Sequence, residues 1–204
     1  MKKITTFFAV LFLAVTLTAC ASKPLTAAEK IQAAEGLSVY QGSGFAFAYD
    51  KNSWNDISST FEGAGEAAEL GVDISDEGIR AMNDGVFMYV PDNAVNFNVV
   101  VNAGGHNGKK VDYDDVAAQM EAQYGTMTGV DFLGYDVIEL NGYEYLKIDI
   151  QMAMAAFGVN MRMTQYAHFT KDKNYVVTFT AADGSYESLL NAFEAVLATF
   201  EYDD

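Results

Sequence analysis

The chain has 204 residues, of which 12 are basic and 28 are acidic, and its formal net charge at pH 7 is −16. Such an acidic protein lacks the basic face that nucleic acids require, which argues against nucleic-acid binding. Cys20 is the only cysteine, so the chain can form no internal disulfide.

Residues 1–19 have the pattern of a secretory signal peptide. The positive start at Lys2-Lys3 is followed by an uncharged, largely apolar run over residues 4–18, which is too short for a comfortable membrane span. The run ends in Leu17-Thr18-Ala19-Cys20, which resembles a lipobox. This resemblance implies a diacylglycerol on the Cys20 thiol and cleavage of the chain before Cys20.

The lipid is then the expected membrane attachment of the mature chain, residues 20–204. Because Lys2 and Lys3 leave with the signal peptide, this chain has 10 basic and 28 acidic side chains and a net charge of −18. That charge argues against a second attachment to anionic lipid, whereas two or three acyl chains hold a protein firmly. We expect a cell-membrane protein that is lipid-anchored on the extracytoplasmic side.

Residues 20–39 are predicted to form a lipidated tether, and residues 40–204 a single globular domain. The tether contains a short helix to about Ala34, because Thr26 and Glu29 match a capping box and Gly36 is placed to end the helix.

Three strands are predicted in the first half of the domain. Large and small side chains alternate over residues 44–50, which is the period of a strand. Further strands are predicted over residues 85–90, where Pro91 stops the pattern, and over residues 97–101. The intervening segment is polar and acidic, with a helix predicted over residues 75–82.

The second half begins with a helix that Asp112 can cap, whose apolar positions Val116, Met120 and Tyr124 are spaced by four. Asn141-Gly142 is a strong hairpin signal. The other predicted elements are strands over 132–140, 143–152, 157–169 and 175–180, and a final amphipathic helix over 186–200.

Successive hairpins imply a largely antiparallel sheet, and the two amphipathic helices must bury their apolar stripes against it. The predicted fold class is therefore α+β, an antiparallel β-sheet covered by amphipathic helices.

The order of these parts resembles the PsbP-like fold family, which includes the extrinsic photosystem protein PsbP, its bacterial relatives and small lipoproteins of uncharacterised role. Four features carry the resemblance over residues 40–202: residues 44–49 leading into Trp54, the helix before the hairpin Leu140-Asn141-Gly142-Tyr143-Glu144-Tyr145, the long strands around residues 171–174, and the closing helix. The resemblance implies a binding or assembly protein more than an enzyme. No PsbP ligand motif carries over.

The sequence predicts neither catalytic residues nor a cofactor. Two histidines, His106 and His168, are too few for a structural zinc site in a chain without a free cysteine. His106 is expected to be exposed, and His168 to lie on a strand surface. The glycine loop 103–110 lies between a strand and a helix, as a phosphate-binding loop would, but Ala103 and Lys110 break that motif.

Two acidic clusters support an alternative, a binding module that depends on a divalent cation. Asp73, Asp76 and Glu77 lie in a segment that faintly resembles a calcium loop. The second cluster comprises Asp112, Asp114 and Asp115, although the start of a helix attracts acids in any case.

A methionine-rich surface is the other candidate site. Met152 and Met154 share a strand face, and Met161 and Met163 share a face of the next strand with Phe157. Methionine is adaptable and suits apolar binding, but a covering helix would make these side chains ordinary core. Tyrosines of the same strands, Tyr143, Tyr145 and Tyr166, are expected to contribute to this surface.

The leading hypothesis is a non-catalytic, membrane-tethered module of the cell envelope that binds a partner protein or a small apolar ligand. The cation-dependent module is the alternative, and an enzyme of unknown type is third.

Overall fold

The computed structural model of the chain describes residues 25–31, 35–58, 83–91, 95–154 and 158–203. The described helices are α1 (Ala27–Lys30), α2 (Tyr113–Tyr124) and α3 (Asp183–Leu197). The described strands are β1 (Ser38–Gln41), β2 (Phe45–Tyr49), β3 (Trp54–Asp56), β4 (Asn83–Tyr89), β5 (Asn96–Ala103), β6 (Val130–Leu140), β7 (Tyr143–Met154), β8 (Val159–Phe169), β9 (Lys173–Ala182) and β10 (Glu201–Tyr202). The signal peptide, Cys20 and the helix predicted over residues 75–82 lie outside the described residues.

The strands form two sheets. One has seven strands in the order β3-β4-β5-β9-β8-β7-β6, the other has three in the order β1-β2-β10, and every neighbouring pair is antiparallel. The predicted α+β class with a largely antiparallel sheet is therefore confirmed, but there are two sheets where one was predicted. All five residues of β2 are buried, because this strand lies inside the molecule and is covered on both faces.

Different elements pack on the two faces of the seven-stranded sheet. On one face, α3 and the three-stranded sheet enclose an aromatic core that includes Phe47, Phe97, Phe193 and Phe200. On the other face, α2 packs against β6 and β7 over a smaller cluster. The buried members of this cluster are Ala117, Tyr124, Leu146, Ile148, Ile150 and Ala167.

The short helix α1 packs against the domain. Ala27 is 2% exposed, its N–H donates to Asp203 Oδ1 at 2.6 Å, and Lys30 Nζ donates to the Tyr202 carbonyl at 2.7 Å. The prediction that this helix continues to about Ala34 is wrong, because Ile31 has extended backbone angles of φ −70° and ψ 123°.

The last helix also ends earlier than predicted. α3 stops at Leu197, and the chain then turns into β10. Phe200, the last residue of the predicted helix, lies beyond the helix. It is fully buried in the aromatic core between the two sheets.

The glycine loop 103–110 is bonded to the β8–β9 turn by backbone hydrogen bonds. The N–H groups of Gly104, His106 and Asn107 donate to the carbonyls of Asp172, Thr170 and Lys171 at 3.1, 2.9 and 2.9 Å. Gly105 thus allows the two backbones to approach each other closely.

We predict that Gly105→Ala destabilises the domain by about 2–3 kcal/mol, because the new methyl group overpacks a rigid contact. A Cβ at this position would lie 2.2 Å from the Thr170 carbonyl oxygen and 2.6 Å from the Lys171 carbonyl carbon. Urea unfolding measures the change. The control is Gly184→Ala in α3, where a Cβ meets nothing within 4 Å and alanine favours the helix. Equal unfolding midpoints for the two variants would contradict the prediction.

Candidate functional site

The four described methionines of the candidate surface lie on one face of the seven-stranded sheet. In the β7–β8 ladder, Met152 is opposite Met161, Ile150 is opposite Met163, and Met154 is opposite Val159. Residues that are directly opposite each other, or two apart on a strand, point to the same face. The register therefore joins the two methionine pairs into one group, which we call the methionine patch (Met152, Met154, Met161 and Met163).

The patch lies on the α2 side of the sheet, and its four half-buried members differ in what they pack against. Met163 packs against the cluster beneath α2, as the core interpretation predicts. Met152, Met154 and Met161 are half-buried at the end of the β7–β8 hairpin and belong to neither of the core clusters formed by the described residues.

Two more apolar side chains are exposed at this end of the sheet. Val159 is 45% exposed and Met127 is 43% exposed. The turn that carries Met127 is tied to β7, because the Ala153 N–H donates to the Gly129 carbonyl at 2.7 Å. The exposed Val159 therefore extends the patch, and the α2–β6 turn adjoins the strand that carries Met152 and Met154.

The expectation that tyrosines add to this surface is wrong. Tyr145 and Tyr166 are fully buried on the opposite face, and Tyr143 packs against the same aromatic core. The reason is the two-residue period of a strand: on β7 the tyrosines occupy odd positions and the methionines even ones, and on β8 the assignment is reversed.

A polar network under α3 was not predicted from the sequence. Thr164 Oγ1 donates to Asp149 Oδ1 at 2.5 Å, and the hydroxyl of Tyr186 donates to the same oxygen at 3.3 Å. Beside it, the hydroxyl of Tyr166 donates to Glu194 Oε1 at 2.8 Å, and Lys147 lies 3.6 Å from that oxygen. These bonds hold α3 to the sheet. The sequence could not predict them, because each of these residue types is common in strands or helices.

The two histidines line one cleft of about 600 Å³ at the opposite end of β8, together with Tyr143, Lys171 and Asp203. Both are half-buried: His106 is less exposed than expected, whereas His168 lies on β8 at the surface of the cleft, as expected. Hydrogen bonds to the neighbouring backbone show whether Nδ1 of each ring carries a proton. His106 Nδ1 accepts from the Gly108 N–H at 3.0 Å, whereas His168 Nδ1 lies 2.9 Å from the Glu144 carbonyl and donates to it.

The acidic cluster at the start of α2 is engaged in local hydrogen bonds. Asp112 Oδ1 accepts from the Asp115 N–H at 3.2 Å, and Asp114 Oδ1 accepts from the Tyr135 hydroxyl at 2.8 Å. Asp112 thus caps α2, as predicted. Within the part of the chain that the structure describes, no three His, Cys, Asp or Glu side chains come together to hold a metal.

Five residues of the predicted sites lie outside the described residues, namely Cys20, Asp73, Asp76, Glu77 and Phe157. Lipidation of Cys20, the calcium-like loop and the contribution of Phe157 to the patch stay predictions. Of the helices in the described ranges, none is long and apolar enough to cross a membrane.

Comparison with known proteins gives similarity in structure only. No protein-family model matches the chain, and no curated protein matches it. The solution structure of cyanobacterial PsbP from Synechocystis sp. PCC 6803 matches with a TM-score of 0.56 and 14% identity, over 91% of this chain and 98% of that one. LpqN, involved in cell envelope biogenesis of Mycobacterium tuberculosis, matches with a TM-score of 0.51 and 11% identity, over 88% of this chain and 98% of that one. At such identities the likeness shows the fold, which is the PsbP-like fold that the sequence analysis predicted.

Proposed function

We propose that this PsbP-like chain is a non-catalytic binding or assembly module of the bacterial cell envelope, anchored by lipid on Cys20 at the extracytoplasmic side of the membrane. Its contact surface is the methionine patch, and the occupant we favour is an apolar surface of a partner protein. The observation that carries the proposal is the convergence of Met152, Met154 and Met161, half-exposed, on one sheet face.

The chemistry of methionine supports an interaction surface at this position. Its side chain is unbranched and polarisable, so it adapts to apolar partners of varied shape. The half-exposed methionines lie next to the exposed Val159 on the same sheet face, and contiguous exposed apolar side chains are typical of contact sites. The buried tyrosines and phenylalanines of the other face provide a rigid support for this surface.

The fold supports a role in the envelope. One of the similar structures is described as involved in cell envelope biogenesis, which agrees with the predicted signal peptide and the lipobox-like segment of this sequence. Five residues separate Cys20 from Thr26, and a fully extended chain of this length spans about 20 Å. Since α1 is bonded to Asp203, a lipid on Cys20 would hold the domain close to the membrane.

We expect Met161→Lys to lower the recovery of a cross-linked partner from intact cells by about tenfold or more, because a charge in the apolar contact must be desolvated without a partner. Photo-cross-linking from the patch followed by mass spectrometry measures the recovery. The control is Val90→Lys, which places the same charge at a side chain that is 50% exposed elsewhere. The mass of the membrane-extracted protein reports on lipid at Cys20.

Three outcomes would contradict parts of this proposal. Equal recovery from both variants would rule out the patch as the contact surface. Recovery of random neighbours alone would leave a small apolar ligand as the occupant. A Cys20 without lipid would rule out the anchor.

We do not extend the proposal to the divalent-cation alternative. Asp112 and Asp114 accept hydrogen bonds within the domain, so no observation on the described residues favours a cation there. The proposal likewise includes no catalytic role.

A further inference from the structure

A long stretch of the chain is acidic without interruption. Residues 112–146 contain eight acids and no lysine, arginine or histidine. This stretch forms α2, β6 and the first part of β7, which pack against one another. The charges therefore gather on one side of the domain, which we call the acidic side. The acids are Asp112, Asp114, Asp115, Glu121, Asp131, Asp136, Glu139 and Glu144.

β6 is an open edge on this side. It is the last strand of the seven-stranded sheet and, among the described residues, pairs with β7 alone. It has eleven residues, whereas β3 at the opposite edge has three. A long edge presents a row of backbone N–H and C=O groups that can pair with another strand.

The charged side chains of β6 are all acidic, namely Asp131, Asp136 and Glu139. Proteins commonly guard an edge strand with lysine or proline, and β6 contains neither. Tyr135 is 40% exposed and Val137 is 45% exposed. A bulge between Phe132 and Gly134 interrupts the pairing of the strand, so the regular open stretch runs over residues 135–140.

We propose that residues 135–140 of β6 bind an extended basic segment of a partner protein as an added strand. Backbone hydrogen bonds to the edge would supply affinity, and alternating side chains would supply specificity. Apolar residues of the segment would pack on Tyr135 and Val137, which share one face of β6, and its lysines or arginines would lie on the other face and pair with Asp136. Glu139, on the face of Tyr135 and Val137, adds negative charge at the same edge. This inference names a partner chemistry for the proposed binding module, but it requires neither the lipid on Cys20 nor the methionine patch.

The negative charge of the acidic side favours a basic segment over a second copy of the chain and over an anionic membrane. Pairing of β6 with β6 of a second copy would bring two acidic sides together, and like charges across a strand pair are destabilising. An anionic membrane surface would be repelled for the same reason. A basic segment gains from the acidic side both in affinity and in the rate of encounter.

The test measures the binding of a ten-residue peptide that alternates lysine with valine to the full chain in detergent micelles, at low salt, with backbone amide NMR. We expect saturable binding with shifts over residues 135–140. The double variant Asp136→Lys, Glu139→Lys should bind the lysine–valine peptide about tenfold more weakly. It should bind a peptide with glutamate in place of lysine more tightly than the lysine peptide. The matched control, Glu35→Lys with Asp172→Lys, reverses two exposed acids outside the acidic side and should change the affinity by less than about twofold.

A second peptide separates strand addition from simple charge attraction. With proline at alternate positions it keeps its lysines but loses backbone donors, so it should bind about tenfold more weakly. Equal binding of both peptides, shifts located elsewhere, or no saturable shift at millimolar peptide would overturn the proposal. If the protein forms a dimer and the double variant Asp136→Lys, Glu139→Lys does not, the edge binds a second copy, which would also overturn the proposal. The peptide test and the cross-linking test change different residues, so they fail independently.

Discussion

Raising the pH from 9 to 11 is expected to remove about 7 kcal/mol from the free energy of unfolding, which is comparable to the whole stability of a typical domain. The cause is a set of five tyrosines that are each at most 2% exposed. They are Tyr145, Tyr166, Tyr175, Tyr186 and Tyr202.

Burial is the main cause that raises the pKa of each of these tyrosines above the ordinary value of 10.0. It raises the pKa of Tyr175 and Tyr186 to about 12, and that of Tyr145, Tyr166 and Tyr202 still further. Neighbouring carboxylates act in the same direction, since Glu194 accepts a hydrogen bond from the Tyr166 hydroxyl and its charge disfavours a negative charge on Tyr166.

The sign of the pH dependence follows from proton binding. Above pH 10 the unfolded chain releases the tyrosine protons while the folded chain keeps them, so stability falls by about 1.4 kcal/mol per pH unit for each buried tyrosine. The contribution is fully present below pH 10 and is lost as the pH rises towards the folded-state values, which begin at about 12.

Urea unfolding midpoints between pH 8 and 11.5, followed together with the tyrosinate absorbance, check this expectation. Tyrosinate should appear in step with unfolding, and Tyr202→Phe should make the pH slope shallower by about a fifth. Tyrosinate that forms in the folded protein, before the loss of secondary structure, would show that these hydroxyls reach water and would contradict the prediction.

Replacing Phe47 by alanine is expected to cost about 4 kcal/mol, in the range for a large side chain removed from a packed core. Phe47 is fully buried in β2, and its ring stacks on Phe200 at a centroid distance of 4.4 Å. It also meets Phe87 at 5.1 Å and Phe97 at 5.7 Å, which belong to β4 and β5 of the other sheet. One ring thus joins the two sheets.

The measurement is again urea unfolding, at neutral pH. The control is Leu133→Ala, since Leu133 is a large apolar side chain on β6 that is 48% exposed and should change stability by less than about 0.5 kcal/mol. If Phe47→Ala and Leu133→Ala have similar midpoints, the two sheets are not held together by this aromatic core.

Local signals in the sequence were sufficient for most of the long elements. Asn141 and Gly142 have positive φ angles of 52° and 77°, the conformation that a two-residue hairpin turn requires and that these residue types favour. Asp112 caps α2 because a carboxylate can accept an N–H of the first helical turn wherever the helix packs. The order of such elements was also enough to predict the PsbP-like fold.

Elements that depend on distant contacts could not be predicted. β10 has two residues, too few for any period, and exists because Glu201 and Tyr202 pair with Ala46 and Phe45. The docking of α1 likewise depends on Asp203, at the other end of the chain.

The candidate surface shows the same division. The two-residue period of a strand determines, from sequence alone, that Met152 and Met154 share a face and that Met161 and Met163 share a face. The register of β7 against β8 then decides that both pairs lie on the same side of the sheet, while the tyrosines of these strands lie on the other. Register and the position of α2 are set by packing between distant residues, which no local pattern contains, and they alone leave three methionines half-exposed on the α2 side of the sheet.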